Sequence, residues 1–129
     1  MEPPKKANIL LVDDEAALAK LMQTYLGKLG YNVESALDAT GALATFAMDP
    51  YRFQLLVADL TLPDLPGQDM AVQMLAQNPN LRILLCSGYP FAVDSLPVAI
   101  QSRFASLQKP FLPNMLANAI EDLLGRKIE

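Results

Sequence analysis

The chain has 129 residues, 52% of them hydrophobic, and a formal net charge of −4, which suits one domain with a core on both faces of a sheet and excludes a disordered chain. The acidic balance offers no electrostatic basis for direct contact with nucleic acid. The absence of histidine removes an imidazole base and any His-ligated metal, and a single cysteine, Cys86, excludes an internal disulfide.

Residues 1–7 read as a polar, Pro-containing, flexible lead-in. Asn8-Ile-Leu-Leu-Val12 reads as a first strand. Leu18, Leu21, Met22, Tyr25, Leu26 and Leu29 then recur at helical spacing, so the expectation is a helix over 15–29 with one apolar stripe, stopped by Gly30 in the left-handed conformation. Tyr31–Ser35 alternates weakly and suits a short outer strand. Residues 39–48 carry Ala42, Leu43, Phe46 and Ala47 on one side, as a second helix would.

Gln54-Leu-Leu-Val-Ala58 is apolar almost throughout, as a central parallel strand buried on both faces requires. Thr61–Gly67 is a loop by its Pro and Gly content. Gln68–Gln77 follows as a helix, ended at Asn78-Pro79-Asn80, and residues 81–86 form a fourth strand with Cys86 as a buried, reduced thiol. Pro97 interrupts residues 91–102, so the helix expected there is short, kinked or irregular. A fifth strand over 104–108 precedes an amphipathic helix over 113–127, with Met115, Leu116, Ala119, Ile120, Leu123 and Leu124 on its apolar side and Pro113 in its first turn. Strand and helix alternate five times, which predicts an α/β domain with a doubly wound parallel sheet. No apolar stretch reaches membrane-spanning length, and the first residues show no leader pattern. The expectation is a soluble, cytoplasmic chain with no membrane segment.

Four of the apolar runs end on polar residues: Asp13-Asp14, Asp59, Ser87-Gly88 and Lys109-Pro110. Ligands of open parallel sheets bind outside the carboxyl ends of the strands, so three carboxylates, a hydroxyl and a lysine meet at one edge. Like charges disfavour their common ionisation, and a hard divalent cation such as Mg²⁺, which takes oxygen ligands, resolves the conflict. A carboxylate in such a site can act as a nucleophile toward phosphorus, while Lys109 and Ser87 supply a charge and a donor for the phosphoryl oxygens. Each element alone has a plainer reading: Asp13-Asp14 as a helix cap, Asp59 as a loop carboxylate, Ser87-Gly88 as a turn, Lys109 as a solvated side chain. All four, each at its own strand end, argue for a phospho-aspartate site.

Ile9-Leu-Leu-Val-Asp-Asp-Glu15, Asp59-Leu-Thr-Leu-Pro-Asp-Leu-Pro-Gly67, Cys86-Ser-Gly-Tyr89 and Lys109-Pro-Phe111 together resemble the receiver domain of two-component response regulators. The resemblance implies a flavodoxin-like (βα)5 fold over residues 8–127 with strand order 2-1-3-4-5. It implies that Asp59 is the phosphoacceptor, that Asp13, Asp14, Asp59 and the Thr61 backbone carbonyl hold Mg²⁺, and that Lys109 and Ser87 contact the phosphoryl group. It also admits a cis Lys109–Pro110 peptide. The implied partner is a histidine kinase or histidine phosphotransfer domain docking on the first helix, and the implied role is a phosphorelay switch rather than an enzyme with an outside substrate. Where the family carries an aromatic switch residue, three before the lysine, this chain has Ser106; Tyr89 is a candidate substitute or a lid. Ser-Gly-Tyr with Leu-Gln-Lys-Pro-Phe resembles the receivers appended to hybrid sensor kinases more than those linked to DNA-binding domains.

Three other readings stand beside this one. Ser106 and Pro97 give some weight to an interaction module that signals without phosphorylation. A Mg²⁺-dependent phosphatase with an Asp nucleophile wants a second carboxylate two residues after Asp59, where Thr61 stands. A flavodoxin-like cofactor binder lacks its glycine- or hydroxyl-rich phosphate cradle.

Overall fold

Five parallel strands run in the order β2-β1-β3-β4-β5 in the computed structural model, which describes residues 6–126. The strands are β1 (Asn8–Val12), β2 (Asn32–Ala36), β3 (Leu55–Asp59), β4 (Arg82–Ser87) and β5 (Phe104–Gln108). The helices are α1 (Ala16–Lys28), α2 (Ala39–Met48), α3 (Gly67–Gln77), α4 (Val98–Gln101) and α5 (Pro113–Gly125). The order implied by the family resemblance is the one observed. The register pairs Val12 with both Ala36 and Ala58, Asp59 with Cys86, and Ser87 with Gln108, which aligns the carboxyl ends of the strands along one edge.

Alternate residues along each strand feed two cores. Ile9, Leu11, Leu55, Val57, Leu84 and Cys86 face α1 and α5. Leu10, Val12, Leu56, Ala58, Ile83 and Leu85 face α2 and α3. Leu55–Ala58 in the central strand are at most 1% exposed, so β3 is apolar on both faces until its last residue, Asp59, leaves the core. Phe46 of α2 stacks on Phe53, with ring centroids 5.9 Å apart, and closes the second core at its far end.

Helix ends follow local chemistry. Gly30, at φ 101°, terminates α1: its amide donates to the Gly27 carbonyl and the Tyr31 amide to that of Leu26, a double closure that the left-handed residue makes possible. Asp38 caps α2 by accepting from the Gly41 amide at 2.7 Å. The segment 91–102 breaks into a 3₁₀ turn, Val93–Ser95, and the single-turn α4, with Leu96 and Pro97 between them, as Pro97 predicts.

Some expectations are corrected. Leu21 on α1, Ala47 on α2 and Met115 on α5 are exposed rather than part of the buried stripes, because each helix rests on the sheet over a narrower arc than its apolar residues occupy. The fourth strand runs one residue later than expected, and α5 ends at Gly125 rather than at Lys127. Lys127 and residues 1–5 of the expected lead-in lie outside the described residues.

Candidate functional site

The site forms where β1 and β3 run out of apolar residues. Asp13 follows the end of β1 and is buried; its amide donates to the Ala36 carbonyl, which holds it in the sheet's hydrogen-bond pattern. Its Oδ1 accepts from the Glu15 amide at 2.9 Å and its Oδ2 from Lys109 Nζ at 3.1 Å. Neither Asp13 nor Asp14 is the cap of α1, because the cap position falls on Glu15. Asp59 accepts from the Thr61 amide at Oδ1 (3.2 Å) and from Lys109 Nζ at Oδ2 (3.1 Å). Asp13, Asp14 and Asp59 each offer a carboxylate oxygen within 4.8 Å of the others.

Lys109 arrives from the end of β5, where its amide donates to the Ser87 carbonyl at 2.7 Å and its peptide bond to Pro110 is cis. Partial burial of its ammonium acts to lower its pKa, but the hydrogen bonds and charges of Asp13 and Asp59 outweigh this, and the pKa is raised. Lys109 therefore stays a cation and offsets part of the repulsion among the three carboxylates. Ser87 is buried; its Oγ accepts from the Tyr89 amide at 3.1 Å, which leaves the hydroxyl proton available to an acceptor outside the sheet edge. The donor set is all oxygen, mostly charged and partly open to solvent, which fits a hard divalent cation and not a soft metal. Cys86, one residue from Ser87, takes no part: burial pushes its thiol up to about 12.

Five of the sequence-predicted residues thus come to one edge: Asp13, Asp14 and Asp59 with carboxylate oxygens within 4.8 Å of one another, Lys109 bonded to Asp13 and Asp59, and Ser87 on the adjoining strand end. Tyr89 is 55% exposed and, with Thr61, lines a groove of about 330 Å³ beside the loop between β3 and α3. Ser106 does not join the cluster. It is exposed on β5, and its hydroxyl donates to the Phe91 carbonyl at 3.3 Å. Phe91 is itself packed against the core shared with α2 and α3.

Two residues that the sequence reading quoted without a role support the site. Gly67 opens α3 directly against the Asp59 backbone, where a Cβ would fall 2.2 Å from the Asp59 carbonyl oxygen. Asp64, at the apex of the same loop, accepts from the amides of Ala39 and Thr40 and from the Thr40 hydroxyl. These bonds, the Thr40 hydroxyl foremost, lower its pKa from 3.8 to about 2. The sequence places Gly67 at the end of the loop, one residue before the expected helix, whereas it opens α3; Asp64 has only a turn-forming residue type to mark it.

Doubly wound topology with an acidic, lysine-bridged cluster at the carboxyl edge defines a receiver-type signalling domain. The family model of the response regulator receiver domain matches residues 9–121, and the chain belongs to that family, the receiver domains of two-component systems. It is 28% identical over 93% of its length to the transcriptional regulatory protein GlrR of Escherichia coli (strain K12), and 25% identical over 94% to the sensor kinase CckA of Brucella abortus (strain 2308). It spans only 27% of the first and 13% of the second. Among solved structures it superposes on a CheY-like response regulator receiver domain protein from Methanospirillum hungatei JF-1. The TM-score is 0.78, with 27% identity over 92% of this chain and 93% of that one. Among the described residues no helix is long and apolar enough to cross a membrane.

Proposed function

We propose that this chain is the phosphoacceptor switch of a two-component phosphorelay. Asp59 takes a phosphoryl group from a phosphohistidine of a histidine kinase or histidine phosphotransfer domain, and the phosphorylated domain signals by a shift in conformation. The observation that carries this reading is the meeting of Asp13, Asp14 and Asp59 within 4.8 Å, with Lys109 Nζ 3.1 Å from two of them.

Asp13, Asp14, Asp59 and the Thr61 backbone carbonyl are the ligands assigned to Mg²⁺, which supplies charge neutralisation for the phosphoryl oxygens when bound. One Asp59 oxygen forms the bond to phosphorus as the donor's phosphorus–nitrogen bond breaks, and the electron pair of that bond stays on the imidazole nitrogen. Lys109, held as a cation, and the Ser87 hydroxyl then bind phosphoryl oxygens. The chain is in this reading a phosphoacceptor, catalysing at most its own transfer and hydrolysis.

The partner surface follows from the grooves beside the site. One of about 370 Å³ runs along Glu15, Leu18, Lys109 and Phe111. It continues through Leu18 and Phe111 into an apolar one that includes Leu21, Met22 and Tyr25. An amphipathic donor helix fits such a groove and would cover the exposed Leu21. Residues 8–127 are the unit that does this work, with 1–7 as a lead-in; a histidine-kinase donor favours a place in the cytoplasm, and the net charge of −4 offers no basis for direct contact with nucleic acid. Ser87-Gly-Tyr89 and the likeness to CckA favour a receiver of the hybrid sensor kinase type. The exposed Ser106 and the single-turn α4 favour a second reading, an interaction module indifferent to phosphorylation.

Intact mass after incubation with Mg²⁺ and acetyl phosphate separates the two. One added phosphoryl group, absent in Asp59→Asn, is the expected result. No gain in the parent protein would leave the interaction module.

A further inference from the structure

Three like charges at the end of two neighbouring strands tend to spread. Asp13 and Asp14 follow the end of β1 and Asp59 ends β3, where it pairs with Cys86, but Thr61 lies in a loop that has no regular structure until Gly67. Something must hold that loop toward β1, and the hydrogen bonds show what does. The Asp13 amide donates to the Ala36 carbonyl at 3.1 Å, which ties the acidic end of β1 to the start of the β2–α2 connection. Three residues on, the Ala39 amide donates to Asp64 Oδ1 at 2.9 Å. The Thr40 amide and hydroxyl donate to Asp64 Oδ2 at 2.8 and 2.6 Å. Asp38 already caps α2 through Gly41, so Asp64 is not needed to cap that helix alone; it uses the two amides that Asp38 leaves. The result is a closed ring: Asp13, Ala36, the first turn of α2, Asp64, and back along the loop to Thr61 and Asp59.

We infer that Asp64 is a positioning residue for the cation of the phosphorylation site: it clamps the loop between β3 and α3 to the first turn of α2 and so holds in place Thr61, whose amide donates to the Asp59 carboxylate. The inference rests on the function proposed above and extends it to a residue that touches neither cation nor phosphoryl group. Removing the clamp frees the loop that carries Thr61 from the first turn of α2. The site then has to be reassembled on binding. Groups hydrogen-bonded directly to metal ligands alter metal affinity by about 10- to 100-fold when removed; Asp64 acts one step further out, at the surface, so the lower end applies.

The test is a titration of the intact chain with MgCl₂, followed by backbone amide NMR shifts, for the parent, Asp64→Ala and Thr40→Val. Thermal melting in the absence of Mg²⁺ is measured alongside. The expected result is a Mg²⁺ midpoint raised about tenfold in Asp64→Ala, and raised less in Thr40→Val, which removes one bond of the clamp and keeps the two amides. Thr40→Val carries the test if Asp64→Ala does not fold. A lowered melting temperature with the parent's midpoint in the folded variants would mean a merely structural role and would overturn the inference, leaving the proposed function intact. A parent protein that neither binds Mg²⁺ nor gains mass from acetyl phosphate would overturn both.

Discussion

Gly67 begins helix α3 in contact with the carbonyl oxygen of Asp59, which an added Cβ would approach to 2.2 Å. The neighbour is backbone in the central strand, not the end of a flexible side chain, so it has little room to yield. Gly67→Ala must therefore move either α3 or the end of β3. Overpacking of this kind costs about 1–3 kcal/mol, and a domain of this size loses roughly 4 °C in Tm per kcal/mol. The expected outcome is a clear fall in Tm together with slower phosphorylation from acetyl phosphate. An unchanged melting curve would show that α3 can slide away from Asp59 at no cost.

Cys86 sits in the same core as α1 and α5, and burial holds its thiol protonated, with a pKa pushed up to about 12. Alkylating and disulfide reagents attack thiolates. Iodoacetamide at neutral pH is thus expected to leave the folded protein unlabelled and to add one group once denaturant exposes the chain. Stoichiometric labelling under native conditions, at a rate near that of the unfolded chain, would contradict the burial.

The sheet and its acidic edge were legible in the sequence because each rests on local, repeated signals. Leu55–Ala58 could belong only to a strand covered on both sides, and Asp13, Asp14, Asp59, Ser87 and Lys109 each stand at the end of such a run. What stayed hidden depends on distant partners. Nothing around Asp64 indicates that Ala39 and Thr40, 25 and 24 positions earlier, will present their amides to it. Nor could the exposure of Leu21 be read from its helical spacing, because the arc a helix buries is set by its seat on the sheet. Ser106 was visible as a departure from the family pattern, but its bond to the Phe91 carbonyl follows from the path of the loop after Ser87.

The clamp at Asp64 also has a pH signature. Its carboxyl falls from 3.8 to about 2 on folding, so the charged form is favoured in the folded state. The stability this contributes is complete above pH 3.8 and is lost as pH falls through about 2. In Mg²⁺-free buffer the Tm difference between the parent and Asp64→Ala should therefore be constant from pH 7 to 5 and shrink between pH 4 and 2. Differential scanning calorimetry across that range measures it. Two curves that stay parallel down to pH 2 would mean that the three hydrogen bonds do not depend on the charge of Asp64.

Tyr89 bears on how long the proposed phosphoryl group survives. Its amide is held by the Ser87 hydroxyl oxygen, and its half-exposed ring lines, with Thr61, the groove that opens beside the end of β3. Water that reaches a phosphorylated Asp59 along that groove meets the ring. Tyr89→Ala is expected to shorten the phosphoryl half-life severalfold, while Tyr89→Phe, which keeps the ring and loses only the hydroxyl, should decay at the parent's rate. Intact mass followed over time after removal of acetyl phosphate reads both. A half-life in Tyr89→Ala equal to or longer than the parent's would reject the shielding role, and a short one in Tyr89→Phe would assign it to the hydroxyl instead of the ring.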